Sequence, residues 1–573
     1  MIQAIPPQVV REAERALVER SPQDSLMLVA AEAVADAVQR TGEDTQTVLA
    51  LVGGGDNGGD ALHAAALLAG RGLKVRAALL TDHPHLRALS AARTAGVDIR
   101  SLAPWAPPPG GGAVAAQGQR QGQGWGDRRV LAGGRAIDEG DTGAHPEPGP
   151  VGTGGEDHTV DTGRAEGGDA RPEDRVPTWM EADTWIDGLT GTGLRGALRE
   201  PMAGTVSALG RAARTWGTRI IAVDVPSGAC TEDGTLPGVV LRADHTVTMG
   251  ALKTTLVLPP AAQYAGTLEV VDLGLPDLSG QVGDAVQDGS VSTRDESGGA
   301  QTLGGAQALG GAQTLGERAQ SAPPSPILRL LDVDVAGQLR VPGPFDHKYT
   351  RGVVTVAAGS DTYPGAGVLA TMGALGVGPG MVRLEAAGRT ARIVLDRHPG
   401  VVTASGRAQA AVVGSGLDAE IEPRALSVAR RALGRGIPLV LDAGALGFVA
   451  GLRQDHGPLS RGVLTPHAGE AAVLLAQLED RSVERSEVEA RPLVTARRLV
   501  ELTGSTVVLK GSVTLVVCPD GRVFSVAGET GWAGVAGSGD VLAGVMGSLV
   551  AQRRAEEERG GDRLDLGLCA ACA

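Results

Sequence analysis

Short apolar runs that break off in glycine constrain the fold of this chain most. Val48-Leu49-Ala50-Leu51-Val52 has no polar interruption and is followed at once by Gly53-Gly54-Gly55. A run this short and this apolar reads as a strand buried on both faces of a parallel sheet. Glycines behind it allow a tight turn and a close approach of backbone to ligand. A helix is expected over 60–69 and a strand over 75–80. Further strands are expected at 184–186, 220–223 and 246–248, then at 353–357, 411–413, 438–441, 462–464 and 506–509. Helical spacing of Val9, Val10, Ala13, Ala16 and Leu17 places a helix near the start of the chain, and others are expected over 26–38, over 367–375 and from near Asp540. Alternating strands and helices predict three-layer αβα architecture around parallel sheets.

At 573 residues the chain exceeds a single domain. Two segments break the pattern. Residues 104–178 are rich in Gly, Pro, Gln and Asp and lack periodic apolar positions. Such a stretch buries too little surface to offset its chain entropy, so it reads as a disordered insertion. Strand and helix signals resume after it in the same style, and a long surface insertion costs little because closure entropy grows only logarithmically. Residues 280–326 carry Gly298-Gly-Ala-Gln-Thr-Leu303 and two close copies. Three Gly-rich copies are too few and too flexible for a β-helix, so this segment reads as a flexible linker. The expected organisation is a first domain over 1–279 with its insertion, the linker, and a second domain over 327–573.

A net charge of −14 without a basic block argues against nucleic acid as a partner. Six Trp, three Tyr and three Phe are too few to form base-stacking platforms. No apolar run approaches the ~18 residues that span a bilayer, so no membrane association is expected. Residues 1–7 lack the charged start and apolar middle of a signal peptide. Cys230, Cys518, Cys569 and Cys572 form no disulfide framework, which fits a reducing cytoplasm. Cys569-Ala-Ala-Cys572 has metal-like spacing but no second pair.

Polar residues gather at the expected strand ends of the first domain. Gly53 to Asp60 follows one strand, Asp187-Gly-Leu-Thr-Gly191-Thr-Gly193 another, and Asp224-Val-Pro-Ser227-Gly228 a third. Ligands in open α/β sheets bind beyond the carboxyl ends of strands, so Asn57, Asp187, Asp224 and Ser227 are expected around one crevice. Hard oxygen donors of this kind suit an alkali or alkaline-earth cation better than zinc. The plain alternative is a tight turn without a ligand, with Asp60 capping its helix. The spacing is not Gly-x-Gly-x-x-Gly, which disfavours a dinucleotide-dependent dehydrogenase.

Together with Thr248-Met-Gly-Ala-Leu-Lys253, these stretches resemble the successive motifs of the NAD(P)HX epimerase domain. Leu256 to Pro260 and Leu268 to Pro276 are similar to that family's usual end. The resemblance covers 1–276 apart from the insertion. It implies that Asp56, Asn57, Gly58, Gly59 and Asp60, then Gly191, Thr192, Gly193, Leu194, Arg195, Gly196 and Ala197, with Asp224, bind the hydrated dinucleotide. It also implies K⁺ held by Asn57, Asp187 and Ser227. Asp224 is the carboxylate expected to do acid–base work. Lys253 is a second candidate, its alternative being a solvated lysine. Asp56 stands where the family usually has Asn, and Ala61 where it usually has Gly.

In the second domain, Ala533-Gly534-Val-Ala-Gly537-Ser538-Gly539-Asp540 leads into a helix. Free amides at 537–540 can form an anion hole, helped by the helix dipole. Asp540 is placed to take a proton from an attacking hydroxyl, the alternative being a plain N-cap. Lys510-Gly511 ends one strand, and Thr465-Pro-His467-Ala-Gly-Glu470 follows another. His467 and Glu470 alone are too few for a metal site. With His347-Lys348…Gly352, Gly359-Ser-Asp361, Gly365-Ala366 and Gly414-Ser-Gly416-Leu417, these stretches resemble ribokinase-like carbohydrate kinases, and among them the ADP-dependent NAD(P)HX dehydratases. The resemblance implies that Ala366, Gly416, His467, Glu470 and Asp540 contact the hydrated dinucleotide. It assigns Lys510, Gly511, Ser512, Val513, Thr514 and Gly539 to the nucleotide, with Mg²⁺ expected beside ADP. Gly444 departs from the family, which usually has a second Asp there.

The expected fold is therefore a Rossmann-like domain followed by a ribokinase-like one. The expected function is repair of hydrated NADH and NADPH. The first domain epimerises R and S NAD(P)HX. The second dehydrates the S form at the expense of ADP, releasing AMP and phosphate. The partners are then small molecules, and a homo-oligomer is expected. The competing reading is a ribokinase-like small-molecule kinase with a non-catalytic nucleotide-binding N-terminal domain.

Overall fold

The computed structural model describes residues 1–42, 44–102, 176–279, 326–419, 421–528 and 531–573. Most of the expected insertion and linker, with the repeats at 298–315, lies outside the described residues. Residues 176–178, read from the sequence as the insertion's end, are packed structure instead. Val176 is buried and Thr178 opens a short 3₁₀ turn ending at the buried Met180, whose carbonyl accepts the Trp185 indole N–H.

Among the described residues eight strands precede residue 280: β1 (Ile2–Ala4), β2 (Thr47–Val52), β3 (Lys74–Leu79), β4 (Asp98–Ser101), β5 (Thr184–Gly188), β6 (Arg219–Val223), β7 (His245–Met249) and β8 (Thr267–Val271). All but β1 form a parallel sheet in the order β4-β3-β2-β5-β6-β7-β8. The direction of winding reverses between β2 and β5, which is where doubly wound sheets open a crevice. Val48, Ala50 and Val52 pack beneath the helices Ser25–Thr41 and Asp56–Gly70. Leu49 and Leu51 face Trp185 and Leu209 on the opposite side. Alternate residues of one apolar strand thus build two cores, which is why the run tolerates no polar residue.

The second lobe contains β9 (Ile327–Arg329), β10 (Val353–Ala357), β11 (Met381–Leu384), β12 (Ala410–Val413), β13 (Leu439–Leu441), β14 (Gly462–Leu464), β15 (Thr506–Leu509), β16 (Val513–Val517) and β17 (Val523–Ala527). Its ten-stranded sheet runs β1-β9-β17-β16-β15-β14-β13-β12-β10-β11. Strands β10 to β15 are joined in parallel, whereas β15, β16 and β17 form an antiparallel meander. The sheet is therefore mixed rather than wholly parallel. Lys510-Gly511-Ser512 is too short for a crossover, so β16 must return antiparallel.

Strand β1 departs from the expected domain boundary. It belongs to the first 279 residues yet pairs antiparallel with β9 in the second sheet. One step later Ile5 N donates to Leu252 O and Thr254 N to Ile5 O, at the turn that holds Lys253. The lobes share one apolar cluster, in which Val225, Leu256 and Leu258 of the first join Leu446, Leu464 and Val523 of the second. The chain end also packs: the helix Leu566–Ala571 buries Cys569, Ala570 and Ala571.

Candidate active sites

In the first lobe the helix after β2 begins at Asp56, with Gly55 as its N-cap. Asp60 is therefore in the second turn and does not cap the helix. Glycine is required around this turn. A Cβ on Gly53 would meet Leu189 O at 1.9 Å, and one on Gly58 would meet Gly53 O at 2.2 Å. Ala61 is accommodated because its methyl group packs where Gly188 has no side chain. Asn57 sends its amide to Val223 O at 2.5 Å and Thr190 O at 3.4 Å, spanning three strand ends. Asp56 and residues 193 and 195–197 are exposed, while Leu194 is tucked toward the core.

Asp187 and Ser227 meet directly. The Ser227 hydroxyl donates to Asp187 Oδ1 at 2.6 Å and its N–H to Oδ2 at 2.9 Å, and Leu189 N–H adds a third bond at 3.3 Å. All three donors are neutral, and burial pushes the Asp187 carboxyl up to about 6 against the pull of these bonds. A fully buried carboxylate with hard oxygens beside it and no ammonium partner fits a monovalent cation.

Asp224 terminates β6 at φ 68°, a left-handed conformation unusual for a residue with a Cβ. Its Oδ1 accepts from Lys253 Nζ at 2.6 Å, Thr248 Oγ1 at 3.1 Å and Met249 N at 3.2 Å. These three bonds all fall on one oxygen. Lys253 is not a solvated lysine. It is wholly buried, and its remaining bonds go to Thr248 Oγ1 and Met249 O. Asp60 is buried nearby, and desolvation, then the charges of Asp224, Asp56 and Glu14, hold its carboxyl well above the usual range. Glu14, on the helix Pro7–Val18, joins the same electrostatic cluster. No motif pointed to it; an acidic residue on the inner side of that helix was the available signal.

In the second lobe, the helix Ser538–Glu557 starts at Gly537, and Asp540 lies in its first turn without capping it. Gly537 and Gly544 place this helix. A Cβ on Gly544 would meet Ala370 O at 2.0 Å, and one on Gly373 would meet Val541 O at 2.3 Å. The helix Pro364–Gly376 therefore packs backbone against backbone with it, bringing Ala366 beside Gly416. Behind them lies a network that the sequence reading did not assign. Buried Asp442 accepts from Thr465 Oγ1 at 2.7 Å, Lys510 Nζ at 2.9 Å and Ser415 Oγ at 3.1 Å. Gly539 lies against Lys510: a Cβ there would be 3.4 Å from Nζ. Desolvation raises the Asp540 carboxyl above its ordinary value. The Ser415 hydroxyl and the Lys510 charge oppose the rise, and the Asp442 charge adds to it.

His467 and Glu470 form a reciprocal capping box, Glu470 N–H to His467 Nδ1 at 3.1 Å and His467 N–H to Glu470 Oε2 at 2.8 Å. Glu470 also lies 3.7 Å from Lys510 Nζ. The Lys510–Thr514 segment comprises the β15–β16 turn, in which Gly511 and Ser512 are exposed, and the start of β16, where Val513 turns its side chain into the core. Among the described residues no three His, Cys, Asp or Glu side chains form a metal cluster. No described helix is long and apolar enough to cross a membrane. A cavity of about 540 Å³ between Asp44, Arg76, Asp183 and Arg219 opens at the amino ends of the strands, away from both carboxylate clusters.

Two αβα lobes, each presenting a carboxylate paired with a lysine at strand ends, define a two-site α/β enzyme. Comparison with known proteins narrows this. Residues 354–573 match the family described as NAD(P)H-hydrate dehydratase, and residues 23–107 and 156–255 match the YjeF-related protein N-terminus. The Bifunctional NAD(P)H-hydrate repair enzyme Nnr of Mycobacterium leprae is 32% identical over 558 residues, covering 95% of this chain and 88% of that protein. Its namesake in Corynebacterium glutamicum is 28% identical, covering 96% and 87%. That of Escherichia coli is 30% identical, covering 65% and 64%. The chain belongs to the family of bifunctional NAD(P)H-hydrate repair enzymes.

Proposed function

We propose that the two lobes repair hydrated NADH and NADPH in succession, the first exchanging the R and S epimers and the second dehydrating the S epimer at the expense of ADP. The carrying observation is the Asp540–Ser415–Asp442–Lys510 network set against the amino end of a helix. Asp540 takes the proton of the ring hydroxyl as its oxygen attacks the terminal phosphorus of ADP, and the bond to the departing AMP breaks. The main-chain N–H groups of Gly537, Gly539 and Asp540 and the Lys510 ammonium face the charge that moves with the phosphoryl group, the Ser538 N–H being bonded to Val535 O instead. The ring nitrogen's electron pair then expels phosphate, and loss of a ring proton restores the reduced cofactor. Ala366, Gly416, His467 and Glu470 are assigned to the hydrated dinucleotide, and Lys510–Thr514 with Gly539 to the nucleotide.

In the first lobe Asp224, bonded to the Lys253 ammonium, is assigned proton transfer at the epimerising centre. Residues 56–60 and 191–197 are assigned to the dinucleotide. K⁺ would be held by Asn57, Asp187 and Ser227, where it supplies a positive charge to a buried carboxylate. Mg²⁺ would enter with the phosphates of ADP. Four unpaired cysteines suit a reducing cytoplasm, and a homo-oligomer is the proposed assembly. The test is incubation of the full chain with mixed R and S hydrates and ADP. Recovery of all the reduced cofactor supports two working lobes, and a halt near half leaves only the second. Accumulation of a phosphorylated product without cofactor recovery would favour a small-molecule kinase.

A further inference from the structure

Glu14 lies outside every assigned motif. Its Oε1 is buried without a hydrogen-bond partner. A Cβ on Gly250 would come within 3.4 Å of that oxygen, so the carboxyl rests against the turn that carries Lys253. Met249 in the same turn donates to Asp224 and accepts from Lys253. The start of Glu14's own helix is fastened there through Ile5, which bonds on both sides of Lys253. Lys253 has already committed three bonds, to Asp224, Thr248 and Met249. Glu14 is thus close to an ammonium group that is fully engaged elsewhere.

We propose that Glu14 is a positioning residue of the epimerase site, a neutral carboxylic acid whose protonated state permits an anionic dinucleotide to bind beside the Asp224–Lys253 pair. The inference rests on the epimerase reading given above. The charged groups that act on Glu14 are Lys253 and Asp224 beyond the strand ends, Asp56 at the start of the next helix and Arg11 on its own helix, and Asp60 shares the cluster. A further negative charge among these carboxylates would repel a pyrophosphate. Burial is the main cause that lifts the Glu14 carboxyl to about 7; Lys253 and Arg11 oppose it, and Asp224 and Asp56 reinforce it. Glu14 is therefore mostly neutral at pH 6 and mostly ionised at pH 8. Apparent affinity falls in proportion to the binding-competent fraction, so KM should rise about tenfold across that interval.

The experiment follows exchange of separated R and S hydrates without ADP, using full-length wild type and E14Q between pH 6 and 9. Wild type should show the roughly tenfold alkaline rise in KM, and E14Q should lose it. ADP-dependent dehydration of the S epimer by the same samples reports that the chain is folded. A flat wild-type KM, or the same alkaline rise in E14Q, overturns the proposal. Where E14Q does not fold, E14A is read in its place, with the same two outcomes deciding. Absence of epimer exchange in wild type at every pH would instead remove the epimerase reading itself.

Discussion

Replacing Lys253 with Met tests the electrostatic logic of the first lobe most directly. The ammonium is wholly buried and makes three bonds, the shortest to Asp224 at 2.6 Å. Met keeps most of the volume and removes the charge. Asp224 is then left as a buried carboxylate without its counter-ion. Breaking a buried pair from one side costs about 3–5 kcal/mol, a large share of the roughly 5–15 kcal/mol that holds a domain folded. With a urea slope of about 2 kcal/mol per molar, the midpoint should fall by roughly 2 M. Tryptophan fluorescence reads this lobe, because Trp185 is buried edge-on against Trp216 at 5.9 Å while Trp532 is already exposed. Epimer exchange should be lost with it. The double variant D224N/K253M should recover at least half of the lost stability but no activity, since Asn tolerates the left-handed backbone at 224. A loss below about 1 kcal/mol in K253M, or a double variant no more stable than the single one, would refute the reasoning.

Three further outcomes are expected. D540N should lower dehydratase turnover by about a hundredfold or more while sparing epimer exchange, as removal of a general base predicts; undiminished turnover would overturn its assigned role. G544A should cost about 1–3 kcal/mol by forcing the two helices apart where a Cβ would lie 2.0 Å from Ala370 O, and dehydration should fall while epimer exchange in the same sample does not. Asp187 makes stability depend on pH and K⁺. Its folded value of about 6 lies above the ordinary 3.8, so its neutral form favours folding. That contribution is present in full below about 4 and is lost as pH rises through 6, by about 3 kcal/mol in total without a cation. K⁺ should therefore raise the urea midpoint more at pH 8 than at pH 5, and D187N should abolish the difference; equal effects at both pH values would exclude a cation at this carboxylate.

The apolar runs and the glycine turns were legible because strand patterning and turn chemistry are local. Val48–Val52 reads as a strand buried on both faces, and a Cβ on Gly58 would collide with nearby Gly53 O, whereas the collision that excludes a Cβ at Gly53 is with distant Leu189 O. Asp60 was misjudged as a possible cap because the helix start at Asp56 lies within the glycine run itself. The meander of β15 to β17 was missed because Lys510-Gly511 looked like a strand end, and only pairing with β16 reveals a turn. Lys253 could be read as an acid–base candidate or as a solvated lysine, since nothing local records that β7, β6 and the N-terminal segment close around it.

What the sequence determined by itself was the series of strand–turn–helix units and the chemical types gathered at their turns, because periodicity and turn chemistry act over a few residues. What only the tertiary structure decided was the charge state and company of those groups. Asp442 meets Lys510 across 68 positions, Glu14 reaches the Lys253 turn from the first helix, and β1 crosses to the other lobe's sheet. The physical reason is that desolvation and pairing depend on which distant surfaces exclude water together.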